Sequence, residues 1–329
     1  MTRLLGGRGT GVGPMPGVDP LAAARTVFDE VALPYVPELP ARGLGADPIG
    51  RAAALLVDIP VDVVGGDFRL GGGRTRLMSR AEGFLRSDLD AVEEVIERSG
   101  SSAPVKLSVL GPFSFAALVE LPGGHKLVHD PGAWRDVVAS LGEGLAQCGD
   151  ELARRFGSEI VVQLDEPLVG RVVDGQIAPL TRLDVNPPIP VADVAAALSG
   201  LVRRVGRPMV LHTGDQRRWD LVAALPGWAA SFDLTGVGVD EYDALGAFLD
   251  VGGELVAGIV PIEEPSSPVS ADELATRVVD LVDRIGLPRT VLVKQVAVAP
   301  AGGLAGAGDW AGRSLALATR VAEQLGHAD

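Results

Sequence analysis

Several short apolar runs in this chain end in residues able to do chemistry. Val210-Leu211 leads into His212-Thr213-Gly214-Asp215, Ile160–Leu164 carries Gln163 and leads into Asp165 and Glu166, and Ser231-Phe232 leads into Asp233. A fourth run, Val61–Gly65, is followed by Asp67. An imidazole titrates near neutrality, so His212 can serve as general base or metal ligand. A carboxylate in the same place can hold a substrate amine or take a proton. Asp165 and Glu166 are adjacent, so along a continuing strand they point to opposite faces and at most one meets a shared pocket. Asp165 therefore reads equally as a functional acid and as a cap. His212 alone is more often a satisfied histidine at a core edge, but Asp233 one strand on makes the pair half of a metal site. The candidate set is His212, Asp165 and Glu166 for catalysis, Gln163, Asp165 and Asp67 for substrate binding, and His212 with Asp233 for metal. His125 and His129 read as solvated, and Cys148 as a packed helix residue. No nucleophile elbow with a Ser-His-Asp set appears.

These residues need strands to present them. Strand-like runs are expected at Thr10–Pro14, Val61–Gly65, Val105–Gly111, Ile160–Leu164, Pro208–His212, Ala229–Leu234, Glu254–Val260 and Thr290–Val298. Many are continuously apolar, which suits a parallel sheet covered on both faces. Helical periodicity lies between them: Leu21–Val31, Ile49–Asp58, Arg80–Arg98, Ala133–Phe156, Val191–Val205, Arg217–Leu225, Glu241–Val251, Ala271–Ile285 and Trp310–Leu325. Ser270 and Glu273 form a capping box ahead of one of these. Pro34–Asp47 is irregular and reads as a loop over one end. Eight strands interleaved with helices predict an α/β fold, a (β/α)8 TIM barrel formed by residues 1–329 as one domain. Barrel chemistry sits at the C-terminal strand ends, where the candidate residues fall. A doubly wound sheet is the rival; Gly9–Gly13 is glycine-rich, but Pro14, Met15 and Pro16 follow where a phosphate-binding helix should begin.

Composition excludes some classes. The 329 residues are 47% hydrophobic with only 4% aromatic, enough to bury a large core of small side chains. A net charge of −14 opposes nucleic-acid binding, which needs a basic surface. One cysteine allows no internal disulfide. No leader-like start and no uncharged apolar run of about 18 residues is present, so the expectation is a cytoplasmic protein with no membrane partner.

The stretches Gly11-Val12-Gly13-Pro14-Met15-Pro16-Gly17, Leu110-Gly111-Pro112-Phe113, Gln163-Leu164-Asp165-Glu166-Pro167, the His212 strand and Pro300–Gly306 occur in this order across nearly the whole chain. In them the chain resembles the C-terminal catalytic barrel of cobalamin-independent methionine synthase, in its short actinobacterial form. That superfamily includes uroporphyrinogen decarboxylases and corrinoid-linked methyltransferases on the same barrel. The resemblance implies methyl transfer from methyltetrahydrofolate to the sulfur of homocysteine, an amino-acid thiol, at a zinc ion that lowers the thiol pKa. The family's zinc ligands are a His, a Cys two residues later, a carboxylate on the next strand and a second Cys near the last strand. Here His212 and Asp233 match, while Gly214 and Gly302 stand at the cysteine positions. Pro14 replaces the family's serine, and Pro261-Ile262-Glu263-Glu264 follows the seventh strand where a histidine is expected. Asp165 matches the acid that meets the homocysteine amino group.

A His and an Asp are too few for tight zinc unless Asp165, Glu166 or Asp215 joins them. The sequence thus leaves three readings: a methionine-synthase-like methyltransferase with a rearranged metal site; a zinc-free relative using His212 and Asp165 in acid-base roles; and a non-catalytic barrel that binds folate or an amino acid.

Overall fold

In the computed structural model, which describes residues 5–327, six parallel strands form one curled sheet in sequential order: β3 (Val105–Leu110), β4 (Ile160–Asp165), β5 (Met209–Gly214), β6 (Ala229–Asp233), β7 (Leu255–Val260) and β8 (Val296–Pro300). Nearly every residue in these strands is buried, as continuously apolar runs require when both faces are covered.

The edges of the sheet are linked through two extended segments. Residues 7–14 lie along β8, with Thr10 N donating to Val298 O and Val298 N to Arg8 O, both 2.9 Å. Residues 33–38 lie between that segment and β3: Leu33 N donates to Gly9 O (3.0 Å), Glu38 N to Gly13 O (3.0 Å), and Val36 N to Lys106 O (2.9 Å). This corrects the first part of the reading of Pro34–Asp47 as a loop over one end: residues 34–38 join the wall of the sheet, while 39–47 stay irregular apart from a 3-10 turn at Pro40–Arg42. Pro34 and Pro37 look like breakers, but the ladder uses the donors of Leu33, Val36 and Glu38, which the prolines leave free.

Val61–Val64 (β1) is a strand, but it pairs antiparallel with β2 (Asp67–Leu70) in a hairpin outside the six-stranded sheet. Gly65 and Gly66, with φ of 66° and 102°, make a two-residue turn whose left-handed backbone glycine adopts at no steric cost. Thr290–Val298 also divides differently: Thr290–Gln295 is helical and β8 begins only at Val296. A short β-branched apolar run does not by itself distinguish the two states.

The covering helices are α1 (Pro20–Glu30), α2 (Pro48–Ala53), α3 (Arg76–Ser99), α4 (Pro112–Leu118), α5 (Pro131–Phe156), α6 (Val169–Val173), α7 (Val191–Val205), α8 (Trp219–Ala223), α9 (Tyr242–Asp250), α10 (Ala271–Arg284), α11 (Thr290–Gln295) and α12 (Trp310–Leu325). Their ends are written locally. Asp19, Asp130 and Ser270 accept from free backbone N–H groups of the first turns, and Gly100, Gly157 and Gly206 close α3, α5 and α7 in the left-handed conformation. Among the described residues no helix is long and apolar enough to cross a membrane.

Candidate functional site at the strand ends

The sheet places Asp165 directly beside His212, as register partners on β4 and β5, and His212 beside Ser231 on β6. Asp165 is half-buried, and its Oδ1 accepts a 2.7 Å hydrogen bond from Gln163 Nε2. The same amide donates to Val12 O at 2.8 Å. Gln163 is therefore a buried bracket that aims the carboxylate.

Beneath them lies a cation that sequence reasoning passed over. Lys106, on β3, is fully buried, and its Nζ donates to Gly11 O (2.7 Å), Val12 O (3.2 Å) and Gln163 Oε1. Glu38, at the end of the 33–38 segment, is also buried, and its Oε1 has no hydrogen-bond partner among the described residues. A signal existed for the first, since a lysine within an apolar strand run must find acceptors; Glu38 was hidden by its flanking prolines.

Burial sets the protonation states of this group. It pushes the Asp165 carboxyl well above its ordinary range, with the Glu38 charge adding to the effect. Glu38 is raised for the same first reason. Lys106 is lowered to about 8 by burial, against the pull of Asp165 and Glu38. His212 is pushed down to about 4 by burial and by the Lys106 charge, so at neutral pH it is a neutral imidazole with Nδ1 2.9 Å from Ser231 Oγ.

The other candidates are placed elsewhere. Glu166 is fully buried and turned to the start of α4, where its oxygens accept from Phe113 N (2.9 Å) and Ser114 N (2.7 Å). It is a helix cap, because the next residue along a strand faces away from its neighbour's pocket. Burial nonetheless raises its pKa to about 7. Glu166→Gln offers one oxygen to two N–H groups and should cost about 1–3 kcal/mol in denaturant unfolding. A carboxyl with a folded pKa above the unfolded value loses its stabilising contribution as pH rises, so the deficit of the variant should shrink between about 4.5 and about 7. Asp67 is exposed at the hairpin turn rather than at the end of a sheet strand. Cys148 is buried on α5, with its thiol pushed up to about 11 by burial.

The donor set does not suit zinc. Asp233 spends Oδ1 on Thr235 N (2.8 Å) and Thr235 Oγ1 (2.6 Å). Gly214 has φ +64°, a conformation costly for any side-chain ligand, and a Cβ there would meet nothing within 4 Å. A Cβ at Gly302 would meet only Ile262, at 3.8 Å. Among the described residues no three His, Cys, Asp or Glu side chains are grouped so as to hold one ion.

No family model and no curated protein matches this sequence. The likeness is in fold. A methyltransferase from Methanosarcina mazei superposes with a TM-score of 0.54 at 13% identity, over 97% of this chain and 93% of its own. A B12-independent methionine synthase from Shewanella sp., solved with selenomethionine, is similar over 78% of this chain and 69% of its own, with a TM-score of 0.46 and 12% identity. At such identities the likeness concerns the backbone, and the side chains described above carry the chemical argument.

Proposed function

We propose that this chain is a methionine-synthase-like methyltransferase barrel that acts on a small molecule without a zinc–thiolate centre, using Asp165 and His212 instead. The observation that carries the reading is the register pairing of Asp165, aimed by Gln163, with the neutral His212 at adjacent strand ends. The fold likeness to the Methanosarcina mazei methyltransferase supports the scaffold on which this reading places the chemistry. The two linking segments are read as completing an eight-membered (β/α)8 barrel whose mouth these residues line.

In this reading Asp165 receives the amino group of the acceptor. The neutral imidazole of His212 takes the proton that the acceptor loses as it gains a methyl group. A methyl-folate such as methyltetrahydrofolate is the proposed donor, leaving as its demethylated amine when the proton taken up by His212 passes to that nitrogen.

Metal analysis of the protein as isolated, beside His212→Ala, is the deciding experiment. Zinc well below one per chain in both is expected, with any methyl transfer from methyltetrahydrofolate to a thiol amino acid unaffected by a chelator and lost in Asp165→Ala. Stoichiometric zinc that disappears in His212→Ala, or chelator-sensitive turnover, would replace this reading with a remodelled metal site. Ligand binding without turnover, weakened in Asp165→Ala, would reduce the barrel to a binding protein.

A further inference from the structure

Strand β5 loses its regular register between His212 and Gly214, where it pairs with β6. Such an irregularity re-aims the side chain beside it and weakens the local ladder. Gly214 turns left-handed there, and Thr213 Oγ1 donates to Gln216 O at 2.5 Å, folding the chain back toward β6. The next residue is Arg217. Its Nε lies 2.8 and 3.1 Å from the two carboxylate oxygens of Glu241, and its Nη2 2.9 Å from Glu241 Oε2. Nη1 donates to Asp233 O (2.8 Å), and Nη2 also donates to Gly236 O (3.0 Å).

We propose that Arg217 is the positioning residue of this mouth, a guanidinium cross-link that fixes the loop after His212 to the loop after Asp233. The proposal rests on reading the mouth as the functional site. A metal ion would tie strand ends together by taking one ligand from each. Arg217 ties the same two ends through backbone carbonyls and one carboxylate, and its planar fork fits that geometry where an ammonium would not. Glu241 is itself fixed, accepting from Trp219 Nε1 (3.0 Å) and Gly238 N (3.2 Å). Trp219 in turn packs edge-on against Phe232, centroids 4.8 Å apart, and Phe232 lies between Ser231 and Asp233 on β6. The cross-link therefore reaches the strand that carries the hydroxyl facing His212. Both partners are mostly buried, with side-chain exposures of 14% and 19%, which protects the pair from the screening that makes surface ion pairs weak.

The test is the imidazole spectrum of His212 in protein labelled with ¹⁵N-histidine, recorded at neutral pH and assigned with His212→Gln. In Arg217→Met the chain should keep its far-ultraviolet spectrum and cooperative unfolding while the His212 signals shift and broaden. In Arg217→Ala, which leaves the volume of the side chain open, added methylguanidine should restore them. Arg217→Lys should not, because an ammonium cannot span Glu241 and two carbonyls. Unchanged His212 signals in folded Arg217→Met, or no recovery with methylguanidine, would overturn the proposal. If Arg217→Met does not fold, Glu241→Gln takes its place: its His212 signals should shift and broaden in the folded variant, and unchanged signals there would overturn the proposal. Failure of the functional reading is separate: it appears as absent ligand binding in wild type while the His212 signals respond as described.

Discussion

Lys106→Met should destabilise the protein by about 3–5 kcal/mol, the cost of stripping one partner from a buried charge group. Methionine fills similar space but donates nothing, so Gly11 O, Val12 O and Gln163 Oε1 each lose a buried donor. Glu38 and Asp165 also lose the cation that offsets their burial. Denaturant unfolding measures the loss directly. Lys106→Met combined with Asp165→Asn should recover part of it, since the double variant removes both opposed charges; additive losses would show that the two do not interact. A single-variant cost below about 1 kcal/mol would mean that the lysine is not desolvated as described. The result bears on function because the Gln163 amide that Lys106 holds also aims Asp165.

Gly144→Ala carries the second large expectation, and its sign runs against helix propensity. In the interior of a 26-residue helix the change should by itself stabilise by about 1 kcal/mol. Here an alanine Cβ would overlap the Leu55 carbonyl. That segment cannot easily retreat. One turn earlier on the same face of α5, Ser140 Oγ accepts from Val57 N (2.8 Å) and donates to Val57 O (2.7 Å). Overpacking should win, with a net loss of about 1–3 kcal/mol by urea titration. A stabilised variant would show that the approach of residues 54–57 to α5 is looser than described.

Much of the framework was legible in the chain. Apolar runs ending in Asp165, His212 and Asp233 became β4, β5 and β6, because a strand buried on both faces has little choice but to be continuously apolar. Helices with strong caps, such as those opened by Asp19 and Ser270, begin where their caps stand. Where local signals were weak or contradictory, position was not legible. The proline-rich 33–38 segment entered the wall of the sheet, while Val61–Val64 left it for a hairpin.

What the sequence determined by itself was the order of elements, their caps, the alternation that forbids Asp165 and Glu166 from sharing a pocket, and the absence of cysteine at positions 214 and 302. These are local properties, set by the residue's own type and its near neighbours. The tertiary structure decided which charges meet. Lys106 joins Gln163 across 57 residues, Glu38 comes to rest beside Gly13, and Arg217 reaches Glu241 across 24. Burial then decides what each charge is worth, because desolvation depends on how much of the whole chain surrounds a group, and no local spacing encodes that.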